Sequence, residues 1–124
     1  MAHILVLADR EARINRIKHA CDGWDDDVTL STASVDQSSM LDAAALRACD
    51  MAILDHADPI EPRLQAVKHL RAMNDSLRVI VTGIPGDGMP ERTETIFAYL
   101  EAGAAGYVCD DQLESKLAHV VQEV

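Results

Sequence analysis

Aromatic side chains are nearly absent from this sequence: Trp24, Phe97, Tyr99 and Tyr107 are the whole set. A hydrophobic core must therefore be filled mainly by Val, Ile, Leu, Ala and Met. Long apolar runs are missing too. The apolar start, Ile4 to Ala8, is far too short for a signal peptide or a membrane span, so a cytoplasmic protein is expected. Positive charge is scarce: 11 Lys and Arg face 21 Asp and Glu, for a formal net charge of −10. A nucleic-acid backbone or an anionic membrane surface needs a basic patch, and both are excluded as direct partners. Cysteine is limited to Cys21, Cys49 and Cys109, an odd number with no metal-ligand or redox spacing. Cys49 and Cys109 lie beside or within apolar runs and read as small buried hydrophobes.

What is present fits one soluble globular domain spanning residues 1–124. Hydrophobic residues make up 48% and charged residues 26%, and 124 residues suffice for one core but not for two. There is no internal repeat, linker or low-complexity stretch.

Along the chain, short apolar runs alternate with helical spacing. His3 to Ala8, ended by Asp9, fits a strand buried on both faces. Ile14, Ile17 and Cys21 recur at helical spacing, and Asp22-Gly23 closes that helix before the acidic loop Asp25-Asp26-Asp27. Val28 to Thr32 alternates apolar and polar, as a half-covered edge strand does. An Ala-rich helix is expected near Gln37 to Arg47. Met51 to Leu54 is the next buried strand, ended by Asp55. Asp58-Pro59 marks the turn into a third helix, with Pro tolerated in its first turn, and Leu64, Val67, Leu70 and Arg71 follow. Leu77 to Thr82 is a fourth strand, followed by the glycine-rich loop Gly83 to Gly88. Pro90 opens a fourth helix carrying Ile96, Phe97 and Leu100, and Gly103 suits its left-handed terminus. Ala105 to Cys109 is a short fifth strand. Asp111 and Glu114 are spaced as a capping box for a last helix bearing Leu113, Leu117, Val120, Val121 and Val124.

Five strand–helix alternations predict an α/β fold: a three-layer, doubly wound (βα)5 domain of flavodoxin-like type with a five-stranded parallel sheet. Such folds bind ligands outside the carboxyl ends of their strands. Those ends carry Asp9 and Arg10, Asp55 and His56, Thr82 and Gly83, and Cys109 and Asp110. Any one Asp or Thr there is an ordinary cap or turn residue. Together they form a set of oxygen donors that suits Mg²⁺, and a carboxylate beside such a cation can act as an acyl-phosphate-forming nucleophile.

Three stretches bear a family resemblance. Asp50-Met-Ala-Ile-Leu-Asp55, Val79-Ile-Val-Thr-Gly83 and Leu100-Glu-Ala-Gly-Ala-Ala-Gly-Tyr-Val108 resemble, in order and spacing, the response-regulator receiver domains of two-component signal transduction. The resemblance implies a non-enzymatic signalling domain with Asp55 as phosphoacceptor. It implies Mg²⁺ held by Asp9, Asp55 and the backbone carbonyl of Ala57, with Thr82 and Tyr107 as the switch pair. It further implies a histidine kinase or phosphotransfer protein as partner, and a homodimer through the fourth and fifth helices. The third stretch resembles the versions found in transcription regulators, so the chain reads either as the receiver part of such a protein or as a single-domain regulator.

Two family positions are changed. The acidic pair after the first strand reads Ala8-Asp9, and the lysine after the fifth strand is replaced by Asp110. An anion at that position repels the charge that phosphorylation adds, and phosphoryl transfer depends on electrostatic stabilisation. Arg10 is the expected compensating cation, with His56 as a second candidate neighbour. Two functions therefore compete: a phosphorylatable receiver, and a phosphate-independent pseudo-receiver acting as an interaction or dimerisation module. A flavin-type cofactor binder is disfavoured, because the glycine-rich loop has neither P-loop nor dinucleotide spacing.

Overall fold

A computed structural model of the chain describes residues 2–20, 28–33, 49–57, 60–84, 92–113 and 115–117. The apolar runs become strands: β1 (Ala2–Leu7), β2 (Val28–Ala33), β3 (Met51–Asp55), β4 (Arg78–Ile84) and β5 (Gly106–Cys109). They form one parallel sheet in the order β2-β1-β3-β4-β5. The order reverses direction at β1, which sets the switch point between β1 and β3, and β2 is an edge strand as its alternating pattern predicts.

Three helices are described: α1 (Glu11–Ala20), α2 (Glu61–Met73) and α3 (Arg92–Ala102). Ile17 is the buried residue of α1. In α2 the proline of the first turn is Pro62, and Ala66, Val67 and Leu70 are buried beside Arg63. The expected helix near residues 37–47, the Asp58-Pro59 turn and the glycine-rich loop beyond Ile84 lie outside the described residues. So do Cys21, Glu114 and the last three apolar positions of the expected terminal stripe.

Strand residues alternate between two apolar layers, because successive side chains point to opposite faces. Leu5, Leu7, Leu54, Val79 and Val81 pack with Val67, Leu70 and Tyr99 on one face. Ile4, Val6, Ile53, Ile80 and Val108 pack with Ile17, Leu113 and Leu117 on the other. Each fully buried side chain of this size contributes roughly 1.5–3 kcal/mol. Tyr99 is the one aromatic residue in this core among the described residues, so the aliphatic core implied by composition is present. Of the apolar residues named for the fourth helix, Phe97 is 62% exposed and Leu100 43%.

Two helix termini matter for the site. Gly103 ends α3 with φ +119°, the conformation its position predicted. After β5 the chain makes a short 3-10 turn, Asp110–Gln112, with Cys109 at its N-cap and no side-chain cap, and Asp111 lies within this turn; its expected pairing with Glu114 reaches outside the described residues. Among the described residues no helix is long and apolar enough to cross a membrane.

Candidate functional site

All five strands point the same way, so their carboxyl ends share one edge. There Asp9, Arg10, Asp55, Ala57 and Asp110 line a cleft of about 320 Å³ together with Arg13, Arg63 and Gly83. Three carboxylates thus face three guanidinium groups.

Asp55 ends β3 in register with Thr82 of β4. Its side chain is nearly buried, and the Thr82 hydroxyl, fully buried, donates to Oδ1 at 3.0 Å. The β4–β5 register shifts between Val81 and Ile84, and Gly83 lies in that irregularity with φ +76°. A Cβ at Gly83 would stand 2.9 Å from Asp55 Oδ1 and 3.0 Å from the His56 carbonyl oxygen, so this approach requires glycine.

The cation on Asp55 comes from α1. Arg10 carries the carbonyl that accepts the first helical hydrogen bonds, from the amides of Arg13 and Ile14. Arg13 lies one turn further on, and long helical side chains lean back toward the N-terminus. Its guanidinium therefore reaches over the strand edge to both carboxylate oxygens: Nη2 donates to Asp55 Oδ1 at 2.7 Å and Nε to Oδ2 at 3.0 Å. Bidentate, charge-assisted pairs of this kind are the strong ones. The hydrogen bond to Asp55 pushes the Arg13 pKa further above its already high value, outweighing burial, so the group stays charged at any accessible pH.

Asp110 anchors the same arginine from the turn that follows β5. Its Oδ1 accepts from Arg13 Nη1 at 2.7 Å and from Arg16 Nη1 at 2.9 Å, and its carbonyl accepts from Arg16 Nη2 at 2.7 Å. Asp110 is about half exposed, so these contacts are weaker individually than the Arg13–Asp55 pair. On the opposite side of the cleft, buried Arg63 donates from Nη2 to Asp9 Oδ2 at 2.6 Å and from Nε to the Asp55 carbonyl at 3.2 Å.

Of the sequence-predicted residues, Asp9, Asp55, Ala57, Thr82 and Asp110 are brought together at this edge, with one correction to the expected cation. Arg10 lines the cleft, but the guanidinium against Asp55 belongs to Arg13. Arg10 is held at the helix cap, while one further turn gives Arg13 the reach. His56 lines the same cleft, and its Nδ1 shares a 2.6 Å hydrogen bond with the Tyr99 hydroxyl, with the rings edge-on at 5.5 Å. Tyr107 lies on β5 in register with Val81 and is 36% exposed, and the buried tyrosine near the centre is Tyr99. Ala8 is buried behind Asp9 and brings no ligand to the cleft.

A divalent cation does not fit the residues as they stand. Both oxygens of Asp55 are engaged by Arg13, one oxygen of Asp9 is engaged by Arg63, and Mg²⁺ requires near-octahedral oxygen ligation. Among the described residues no group of three His, Cys, Asp or Glu side chains is placed to hold a metal ion. Sequence reasoning missed Arg13, Arg16 and Arg63. The signal for two of them was available: Arg10, Arg13 and Arg16 recur every third residue, along one side of a helix that starts at the strand edge.

No family model and no curated protein matches the chain. Solved structures do. A CheY-like protein (tadZ) from Pseudomonas aeruginosa is 15% identical, with 99% of this chain and 98% of that chain covered at a TM-score of 0.78. A protein described as pilus assembly-related, from Burkholderia pseudomallei, is 18% identical over 99% and 88% of the two chains, at a TM-score of 0.75. A LuxR family DNA-binding response regulator from Silicibacter pomeroyi is 22% identical over 98% and 89%, at 0.72. Such identities speak to architecture, and the architecture of this chain is that of the response-regulator receiver domains.

Proposed function

We propose that the chain is a receiver-fold signalling module that works by association with a partner protein, without phosphoryl transfer to Asp55 and without Mg²⁺. The observation that carries this reading is the Arg13 guanidinium on both oxygens of Asp55. Attack on a phosphoryl donor needs a free carboxylate oxygen and a cation to stabilise the transferred group. Here the carboxylate is committed to an arginine of the same chain. The position expected to carry a lysine holds Asp110, which turns its charge to Arg13 and Arg16. Phe97 and Leu100, three residues apart and exposed on α3, support an association surface, including one between two copies of the chain.

The competing reading, phosphorylation of Asp55 by a histidine kinase or phosphotransfer protein, has one specific observation in its favour. The Thr82 hydroxyl is already bonded to Asp55 and would be in place for a phosphoryl oxygen. Incubation with Mg²⁺ and a small acyl-phosphate donor, followed by intact mass, separates the two. The association reading predicts no adduct. A single phosphoryl adduct that disappears in Asp55→Ala overturns it.

A further inference from the structure

Phe97 and Leu100 are the two most exposed large apolar side chains among the described residues, and both stand on α3. Thr93, Glu94 and Glu101 are exposed on the same helix. At about 3.6 residues per turn these positions fall within one sector of about 120°. Glu94 and Glu101 stand two turns apart, about 10 Å along the axis, with Phe97 between them. Neither carboxylate has an ion-pair partner among the described residues. The inner side of the same helix is anchored: buried Tyr99 shares its hydroxyl with His56, the residue after β3. The outer face is therefore held in place, with an apolar centre and two carboxylates along it.

From this arrangement we infer that the outer face of α3 binds a cationic segment of a different protein, one that carries an apolar side chain between basic residues. This rests on the association reading and selects between the occupants that reading allows. A second copy would bring the same face. Paired parallel, the two helices would set Glu94 against Glu94 and Glu101 against Glu101. Paired antiparallel about Phe97, they would set Glu94 against Glu101. Like charges placed across an interface cost affinity, and a formal net charge of −10 on each copy opposes their approach. A cationic segment meets the reverse conditions. Its apolar side chain covers Phe97 and Leu100, and its basic groups reach two carboxylates that give up no ion pair to bind it. Ion pairs at such a rim set preference and association rate, while the apolar contact at the centre supplies most of the affinity.

Two synthetic amphipathic peptides with the same leucines, one with lysine and one with glutamate at the polar positions, test this on the ¹⁵N-labelled protein at about 0.15 M salt. Circular dichroism is recorded on every variant. The lysine peptide is expected to bind at least about tenfold more tightly than the glutamate peptide, with amide shifts centred on residues 93–101. Glu94→Lys with Glu101→Lys is expected to invert that preference. Glu11→Lys with Glu61→Lys makes the same change in net charge at exposed positions on α1 and α2, and is expected to keep it. Phe97→Ser is expected to weaken the lysine peptide by at least about fivefold. If the double α3 variant does not fold, Glu101→Lys alone is expected to reduce the preference, since a lysine in the last turn suits the helix dipole. No binding of the lysine peptide overturns the inference. So does an equal loss in the Glu11 and Glu61 variant, which would make the attraction a matter of net charge, and so do shifts centred outside α3. A wild-type dimer whose shifts on dilution map to α3 overturns it too, by giving the face to a second copy. None of these outcomes involves Asp55, so the association reading is judged separately, by the phosphoryl adduct.

Discussion

Arg13 and Asp55 form a two-point ion pair across the carboxyl edge of the sheet, with Nη2 to Oδ1 at 2.7 Å and Nε to Oδ2 at 3.0 Å. The pair fixes α1 to the end of β3, and Asp55 is almost wholly buried in it. A buried pair adds little net stability compared with an apolar pair of the same shape, but removing one partner leaves a charge without compensation. Arg13→Ala is therefore expected to destabilise the fold by about 3–5 kcal/mol in urea denaturation. Asp55→Asn in the same background should recover part of that loss. A cost below about 0.5 kcal/mol is the range of an ordinary surface substitution and would mean that the pair does not form in solution.

Gly83 is a second test of the same geometry. Its φ of +76° is strained for any other residue, and an added Cβ would lie 2.9 Å from Asp55 Oδ1 and 3.2 Å from Arg13 Nη2. Gly83→Ala should cost about 1–3 kcal/mol. The cost should be smaller when Arg13 is already alanine, because neighbouring substitutions that relieve the same contact do not add. Equal costs in the two backgrounds, read from thermal or urea unfolding, would mean that Arg13 takes no part in the strain.

Thr82 is fully buried and gives its hydroxyl proton to Asp55. Thr82→Val keeps the shape and removes the bond, which should cost about 1.5–3 kcal/mol, the range for a hydrogen bond to a charged group. Thr82→Ser should retain most of the stability. A neutral Thr82→Val would show that Arg13 alone satisfies the carboxylate.

Burial, reinforced by the charge of Asp50, holds the Cys49 thiol above its ordinary pKa. The neutral thiol is thus favoured by the fold, and this contribution is present below the unfolded thiol pKa and lost as pH rises through the folded one. Native Cys49 should resist alkylation near pH 8.5, about the pKa of a free thiol, and react quickly once the chain is unfolded in urea. Rapid alkylation of the native protein at that site would contradict its burial.

Phe97 and Leu100 stand on the outer side of α3, and the proposed association surface includes them. Phe97→Glu should change monomer stability by no more than about 0.5 kcal/mol while weakening association in sedimentation velocity. Unchanged association would move the contact elsewhere.

The strands were legible because buried parallel strands leave continuous apolar runs: Met51 to Leu54 and Leu77 to Val81 need little else to be identified. The edge position followed from the topology, so Asp9, Asp55, Thr82 and Asp110 could be gathered from sequence. The partner of Asp55 was harder to find. Arg10 and Arg13 are chemically the same, and choosing between them requires the helix start and the backward lean of its side chains. Arg63 was missed for another reason. A buried arginine in a helix whose apolar positions are Ala66, Val67 and Leu70 has no signature until its carboxylate and carbonyl acceptors are seen. Tyr99 likewise sits between exposed Phe97 and Leu100, and its burial and its bond to His56 distinguish it once the fold is seen.

The central claim is that Arg13 occupies Asp55, and the side-chain Nε–H of Arg13 reports on it directly. In a ¹⁵N-labelled sample this proton is expected as a slowly exchanging resonance, because it is held against Asp55 Oδ2 at 3.0 Å. It should be lost in Asp55→Asn and unmoved by Mg²⁺ with an acyl-phosphate donor. An Arg13 Nε–H that exchanges as fast as a free arginine, or that shifts to a new position as Mg²⁺ and the donor are added, would contradict the account.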